Sequence, residues 1–423
     1  MSEALPSASS PKSNSSVPAR PYIGGQAVLE GVMMRSPTSF AVVVRRRDGS
    51  LHVREKGMPD GRTGAAKLPL VRGVASLVES LKLGGEALRF SAEQMERDFD
   101  EQEKEEAAKA SSAAKKTGIG AGALRMLQAI AYTLFLLISA DDGGEPAGSS
   151  GEVIEPVASP NDAQPEKEKA SKGPMGLMLV VMVVFLIALP QAAAAGMNKL
   201  LKFGLEVQSP GFQAMTGAFK LTIVIGYLFV IRRFLPDIRR VFQYHGAEHK
   251  TISTYEANEP LTVANARAKT TLHPRCGTTF LVMVALVSIL VFTAVGGFLP
   301  KIQTGKVLLD NVIFFAEKLP FLPLIAAVTF EIQRVFARYC TTGPLRVLLW
   351  PGFLCQKITT IEPDDEQLEV ALASLRVTLF REEGIEKSVV PAVTAAGQAP
   401  APADVRYRSF DVLMKSARLR RAA

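Results

Sequence analysis

The chain has 423 residues, a formal net charge of +8 and 48% hydrophobic residues. Its 3 cysteines are few for this length and odd in number, which argues against a disulfide framework. Much of the positive charge lies beside long apolar runs, where basic residues orient membrane segments. It therefore does not indicate a nucleic-acid-binding protein, and we expect no nucleic acid partner.

The first ordered part is predicted to be a small N-terminal α/β module over residues 22–96, after a disordered, Ser- and Pro-rich tail at residues 1–21. Residues 40–47 predict a strand, and the Asp-Gly pair after it predicts a hairpin turn into a return strand. Apolar residues recurring three, four and seven positions apart over residues 70–83 predict an amphipathic helix. A glycine pair follows, at which this helix can be interrupted.

Residues 97–174 are rich in charged residues, Ala, Gly and Pro, a composition typical of a linker or a solvated helix. Within them, residues 119–140 contain an apolar piece that is short for a bilayer crossing. Three alternatives stay open for this piece: an interfacial helix, a crossing of a thin region, or a helix packed against its neighbours. A crossing would move the N-terminal module to the other side of the membrane, which disfavours that alternative.

Four long apolar segments predict a mainly α fold, that of a polytopic helical membrane protein, because about 20 apolar residues cross a bilayer as a helix. The fourth segment contains Pro320 and charged residues, so its first part can form a separate short helix. The segments lie at residues 175–197, 217–235, 278–299 and 308–332.

Basic residues follow the second and fourth segments, which predicts that these ends face the cytoplasm. The predicted location is the inner (cytoplasmic) membrane, with multiple crossings, both termini cytoplasmic and the lipid bilayer as a partner. The loop at residues 236–277 is then cytoplasmic. The basic residues are Arg232, Arg233, Arg239, Arg240, Arg334, Arg338 and Arg346.

Residues 175–383 as a whole predict a membrane domain that contains this loop and ends in a C-terminal amphipathic helix. Asp364 or Asp365 can cap that helix. Residues 384–423 predict a tail of Ala, Pro and basic residues. The apolar face of the helix consists of Leu368, Ala371, Leu372, Leu375 and Leu379.

The cytoplasmic loop carries three of the four histidines, and two of them form an HxxEH pattern at His245, Glu248 and His249. On a helix, positions i and i+4 share one face, so the two imidazoles can bind one metal ion. The carboxylate beside the second histidine can then act as a general base, as in inverted zincins. The alternative is that the histidines are interfacial residues bonded to the backbone or to lipid headgroups.

A second pair of candidate ligands follows at His273 and Cys276, since imidazole and thiolate are both good zinc ligands. The two pairs together can form a closed four-ligand site, or a three-ligand site with the fourth residue nearby. Glu256 is a further candidate. His52, the remaining histidine, lies on the predicted return strand and is expected to be an exposed strand residue.

Long stretches around these residues resemble the YqhQ-like family, bacterial membrane proteins of unknown function that are predicted to be metal-dependent enzymes. The resemblance spans residues 22–96 and 175–383. It implies a metal-dependent role for His245, Glu248, His249, His273 and Cys276, and it supplies no substrate. The matching stretches are GGQAVLEGVMMRSP, RVFQYHGAEHKTI, HPRCGTTF and WPGFLCQKITTIEPDDEQLEVALASL.

The sequence thus predicts a membrane enzyme that uses zinc or another divalent transition metal, most simply a hydrolase at the cytoplasmic face. Glu248 is the predicted catalytic base, and a membrane peptide or a lipid-linked molecule is the predicted substrate class. The alternative is a non-enzymatic membrane scaffold with a structural metal site. A transporter is less well supported, because few charged residues lie within the apolar segments. The predicted metal ligands are His245, His249, His273 and Cys276.

Overall fold

The part of the chain described by the computed structural model is mainly helical, with one antiparallel sheet. The predicted tail at residues 1–20, the apolar piece at 119–140 and most of the predicted linker lie outside the described residues. The described residues are 21–58, 68–110, 188–295, 298–300, 304, 307–340, 343–382, 403–416 and 419.

The sheet has five strands in sequential order, and every neighbouring pair is antiparallel. The predicted hairpin is present, with the turn at the Asp-Gly pair joining β3 to β4. The fifth strand comes from the C-terminal part of the chain. The strands are β1 (Gly24–Val28), β2 (Gly31–Arg35), β3 (Ser39–Arg45), β4 (Leu51–Gly57) and β5 (Ala403–Tyr407).

Eleven helices are described. They are α1 (Val71–Ala110), α2 (Leu189–Leu200), α3 (Pro210–Phe234), α4 (Pro236–Glu256), α5 (Val263–Arg267), α6 (Gly277–Val295), α7 (Val307–Lys318), α8 (Leu322–Tyr339), α9 (Trp350–Thr359), α10 (Asp365–Glu382) and α11 (Phe410–Lys415), with 3-10 turns at Leu319–Phe321 and Pro344–Leu349.

The central strand β3 is buried on both faces, which explains its nearly continuous apolar run. Phe40, Val42 and Val44 face one core, which is shared with Ala87 and Phe90 of α1. Alternate residues of the same strand face a second core, shared with α4, α10 and α11. The helix α10 was predicted at the end of the membrane domain, but it packs on the sheet of the N-terminal module, so the two predicted units share one core.

The helix α1 is longer than predicted, because it runs for 40 residues without a break at the glycine pair. Gly84 lies against β1: a side chain at this position would begin 2.3 Å from Oε1 of Gln26. The glycine therefore allows a close approach of helix and strand, and it does not interrupt the helix. The buried pair Arg46–Asp98 joins the second half of α1 to the turn that follows β3.

The predicted C-terminal tail contains structure that the composition did not indicate. Ala403–Tyr407 pairs with β4, and α11 places Leu413 in the second core. The strand is short and rich in charged residues, so its own sequence does not predict it. It forms because it pairs with β4.

Replacing Leu413 with alanine should destabilise the protein by about 2–5 kcal/mol, because its fully buried side chain leaves a cavity. Val412 is the matched control, since it is 49% exposed on the same helix and its replacement with alanine should cost less than about 0.5 kcal/mol. Thermal unfolding of the detergent-solubilised full chain measures both. Equal melting temperatures for the two variants would show that α11 is not part of the core.

Among the described residues, one helix is both long and apolar enough to cross a membrane, namely α3. A second apolar stretch, Val282–Val295 within α6, is shorter. The fourth predicted segment is divided by the turn at Leu319–Phe321 into α7 and α8, as its prolines indicated. The first predicted segment lies partly outside the described residues, and its end forms α2.

Candidate metal centre

The helix α4 follows α3 directly and carries the HxxEH pattern on a largely buried face. His245 and His249 lie one turn apart, with ring centroids separated by 4.4 Å. Gly246 lies between them against the backbone of the segment after α9. A Cβ atom there would lie 2.1 Å from the carbonyl oxygen of Ile361, so the close packing of this helix requires glycine.

Three of the predicted ligands come together around one point. His245, His249 and Cys276 each offer one ligand atom, and these atoms lie within 4.8 Å of one another. The Nε2 atom of His245 is 3.2 Å from the Sγ atom of Cys276. Cys276 is brought there by the loop that precedes α6, and its carbonyl oxygen accepts a hydrogen bond from Gln333 of α8.

Backbone carbonyls orient both imidazoles. The Nδ1 atom of His245 donates to the carbonyl oxygen of Thr359 at 2.8 Å, and the Nδ1 atom of His249 donates to that of Thr271. When Nδ1 carries the proton, Nε2 of a neutral imidazole has a free lone pair for a metal ion. The Nε2 atom of His249 is buried, and the His249 side chain lies close enough to Cys276 to help lower the pKa of its thiol.

The three side chains are electrostatically coupled. Burial raises the pKa of the Cys276 thiol, but His245 and His249 outweigh burial and bring this pKa well below its usual value. Burial lowers the pKa of His245, and the neighbouring Cys276 outweighs that effect and raises the pKa to about 9. A thiolate close to two imidazoles is the protonation state that a metal ion requires of its cysteine ligand.

These residues fit a zinc ion. Zinc binds histidine nitrogen at about 2.0–2.1 Å and cysteine sulfur at about 2.3 Å, so its ligand atoms lie roughly 3–4 Å apart. The distance of 3.2 Å between Nε2 of His245 and Sγ of Cys276 falls in this range, and all three ligand atoms lie within 4.8 Å of one another. The buried Nε2 atom of His249 would gain a bond to such an ion, which would offset the cost of burying a polar atom.

Glu248 is buried beside the cluster and is held by β1. The backbone N–H of Ala27 donates a hydrogen bond to its carboxylate. Gly25 leaves the space that this carboxylate occupies, since a Cβ atom there would lie 2.7 Å from Oε1 of Glu248. Burial raises the pKa of Glu248 above its usual value, and His245 and His249 oppose this effect.

The tip of the hairpin between β1 and β2 also contacts α4. Glu30, with a φ of 49°, forms an ion pair with Arg240 and accepts a hydrogen bond from the hydroxyl of Tyr244 at 3.2 Å. The long GGQAVLEG stretch of the sequence therefore positions the helix that carries the HxxEH pattern.

His273 lies next to the cluster, and the structure does not bring it into the group of three. Its ring centroid is 5.7 Å from that of His249, and its Nε2 atom is 3.3 Å from the carboxylate of Glu256. Glu256 in turn forms an ion pair with Arg275. The role of His273 as a metal ligand stays a prediction.

Gln356 is a positioning residue that the sequence motifs do not reveal. It is fully buried in α9, accepts a hydrogen bond from the backbone N–H of His273 and donates one to the carbonyl oxygen of the same residue, both at 2.8 Å. It also donates to the hydroxyl of Thr279. The sequence signal for Gln356 is the WPGFLCQKITT stretch, which resembles a family but does not indicate a role for this glutamine.

The remaining histidine, a carboxylate at the end of an apolar segment and the other two cysteines lie outside the candidate metal centre. His52 is half-buried on β4, where burial lowers its pKa to about 4, and it is therefore less exposed than predicted. Glu331 forms an ion pair with Arg72 at the start of α1. Cys340 and Cys355 are buried free cysteines.

Fold and site together define a mainly helical protein with an antiparallel sheet, an apolar helix long enough to cross a membrane, and a buried group of two histidines and one cysteine that can hold a metal ion. The chain belongs to the DUF1385 family, described as proteins of unknown function, whose family model matches residues 68–381.

A relative is the uncharacterized protein YqhQ of Bacillus subtilis (strain 168), which is 28% identical over 374 residues. The match covers 88% of this chain and 96% of that protein. The resemblance seen in the sequence is thereby confirmed at the level of the family. No solved structure matches the chain.

Proposed function

We propose that the protein is a multi-pass membrane metalloenzyme, a zinc-dependent hydrolase that acts at the cytoplasmic face of the inner membrane. The observation that carries this proposal is the convergence of His245, His249 and Cys276, whose ligand atoms lie within 4.8 Å of one another.

The exposed apolar surface of α3 supports the membrane location. Phe229 and Phe234 are 61% and 69% exposed, and most of the apolar stretch of this helix is not covered by the rest of the protein. Apolar surface of this extent is stable in lipid. The helix ends in Arg232 and Arg233, where the positive-inside tendency favours the cytoplasm.

The ligand count supports a catalytic centre. Catalytic zinc sites typically have three protein ligands and one position open to water or substrate, whereas structural sites have four protein ligands. Bound zinc supplies a Lewis acid that lowers the pKa of a coordinated water towards neutrality. His245 and His249 hold the ion from one helix face, Cys276 holds it from a second chain segment, and the carbonyls of Thr359 and Thr271 keep both imidazoles in the ligating tautomer.

Glu248 is the base in this proposal. The hydrogen bond from Ala27 fixes its carboxylate, and burial keeps its pKa above the usual value, which makes it a better proton acceptor. Glu248 takes a proton from the attacking water and returns it to the leaving group. The substrate class is a membrane peptide or a lipid-linked molecule, because α4 begins directly after the end of α3.

The alternative is a membrane scaffold with a structural metal site, and one observation favours it: His273 lies close enough to His249 that a small movement would make it a fourth ligand. Cobalt(II) substitution separates the two functions. Acetohydroxamate should change the visible spectrum of an open centre, whereas a closed four-ligand centre should not respond.

Glu248→Gln tests the hydrolase directly. Wild-type and variant protein are incubated with inner-membrane lipids and peptides, and new products are detected by mass spectrometry. The variant should keep its metal and form products at least about 100-fold more slowly, the usual cost of losing a general base. Glu362→Gln is the control, since Glu362 is a largely exposed carboxylate paired with Lys250. Equal product formation by wild type and Glu248→Gln, or a cobalt spectrum that acetohydroxamate leaves unchanged, would contradict the hydrolase.

A further inference from the structure

Arginines converge on two adjoining cavities at the corner between α3 and α4. The cavities have volumes of about 330 Å³ and about 320 Å³, and both are lined by the same three arginines. An apolar side chain from α3 and one from the segment after α9 complete the first cavity. Its lining residues are Phe229, Arg232, Arg233, Arg239 and Ile361.

The arginines differ in whether they already have hydrogen-bond or ion-pair partners. Arg232 donates hydrogen bonds to the carbonyl oxygens of Lys357 and Ile358, which fix its guanidinium without neutralising it. Arg240, which lines the second cavity, is paired with Glu30. Within the described ranges, neither Arg233 nor Arg239 has a carboxylate partner, so the first cavity has three positive charges and no negative one.

Arg233 and Arg239 are exposed, and they differ from basic residues that only orient a helix because they line one open cavity together with Arg232. Here side chains from two helices face one cavity, and one of them is held by two hydrogen bonds. Guanidinium groups bind phosphate through paired, charge-assisted hydrogen bonds. Asp237, the acidic residue in the first turn of α4, lines neither cavity.

The apolar side of the cavity favours a ligand that has an apolar part as well as a phosphate. Phe229 lines the cavity and is exposed on the face of α3 that continues through Ile225. A free inorganic phosphate gains nothing from such a surface. A molecule with a phosphate headgroup and an acyl chain gains both the charge-assisted hydrogen bonds and burial of its chain.

We propose that the cavity between Arg232, Arg233 and Arg239 binds the phosphate headgroup of an anionic membrane lipid, whose acyl chain lies along α3 beside Phe229. This site is separate from the metal centre and the proposal does not depend on it. The two are neighbours, since Ile361 forms a wall of the cavity and its carbonyl oxygen lies against Gly246 of the metal-binding helix.

The test is calorimetric titration of the full chain in nonionic detergent with three probes: dioctanoyl phosphatidic acid, dioctanoyl phosphatidylcholine and inorganic phosphate. Phosphatidic acid should bind at least tenfold more tightly than either of the others. The double variant Arg233→Gln/Arg239→Gln should weaken its binding at least tenfold, because two charge-assisted interactions are lost. Bound metal, measured on the same samples, should not change.

The matched control is Arg334→Gln/Arg338→Gln, which removes the same charge from exposed arginines near the end of α8. It should leave phosphatidic acid binding within about twofold of wild type, since neither arginine lines the cavity and the general electrostatic attraction that it removes is weak. An equal loss in both double variants would overturn the proposal, because binding would then follow net charge. Equal binding of inorganic phosphate and phosphatidic acid would also overturn it, because the ligand would then be a soluble phosphate.

Discussion

Replacing Cys276 with serine should reduce the zinc in the purified protein from about one ion per chain to a small fraction of that value. The thiolate is the one anionic member of the group His245, His249 and Cys276, and a serine hydroxyl stays protonated near neutral pH. The Cys276 pKa lies well below its usual value, so the thiol loses its proton readily and can bind a metal ion as the thiolate. Elemental analysis by mass spectrometry measures the loss.

Cys355→Ser is the matched control for this experiment. Cys355 is also a buried free cysteine, but burial raises its pKa to about 11, and it does not belong to the group of three. Its variant should keep its zinc. Retention of zinc by Cys276→Ser, or equal loss in both variants, would contradict the proposed centre.

His273→Ala decides between the two forms of the centre. Under the proposed open form, the variant keeps most of its zinc, because His273 is bonded to Glu256 and lies outside the group. Complete loss of zinc would identify a four-ligand centre of the structural kind and favour the scaffold.

The sequence indicated the local parts of this site well. The spacing of His245 and His249 predicts a shared helix face, and the structure places both on α4. The Asp-Gly turn and the flanking strands were equally local signals. Cys276 is 31 positions from His245, and its proximity was inferred only from residue chemistry.

The parts that were missed depend on long-range contacts. The acceptors for the two imidazoles are the backbone carbonyls of Thr359 and Thr271, and a carbonyl has no residue-specific signal. The role of Gly25 depends on a carboxylate more than 200 positions away, so it could be read only as a glycine in a turn or a close contact. The strand β5 was assigned to a tail because its own composition is weak and its partner β4 stabilises it.

Replacing Gly246 with alanine should destabilise the protein by about 1–3 kcal/mol or more and lower its zinc content. The new Cβ atom would lie 2.1 Å from the carbonyl oxygen of Ile361, which is backbone and cannot rotate away. Ile361 is also fixed by a hydrogen bond from its N–H to the carbonyl oxygen of Phe242. Relief therefore requires movement of α4, on which both histidine ligands lie.

Gly226→Ala is the matched control, because Gly226 also lies within a helix and a Cβ atom there would meet nothing within 4 Å. The higher helix propensity of alanine should leave this variant as stable as wild type or more stable, by up to about 1 kcal/mol. Melting temperature and bound zinc are measured on both variants in detergent. A Gly246→Ala protein with the melting temperature and zinc content of Gly226→Ala would show that α4 does not pack as described.

The pairing of β4 with β5 restricts how the chain can be threaded through a bilayer. These strands are hydrogen-bonded neighbours, so Gly57 and Ala403 lie on the same side, and any crossings between them must be even in number. The hydrogen bond between Ala27 and Glu248 places β1 and α4 on the same side of the membrane, so the number of crossings between them must also be even. If α3 crosses, an odd number of further crossings must therefore lie between β4 and α3. A single-pass protein built on α3 alone would leave the carboxylate and its strand on opposite sides of the membrane.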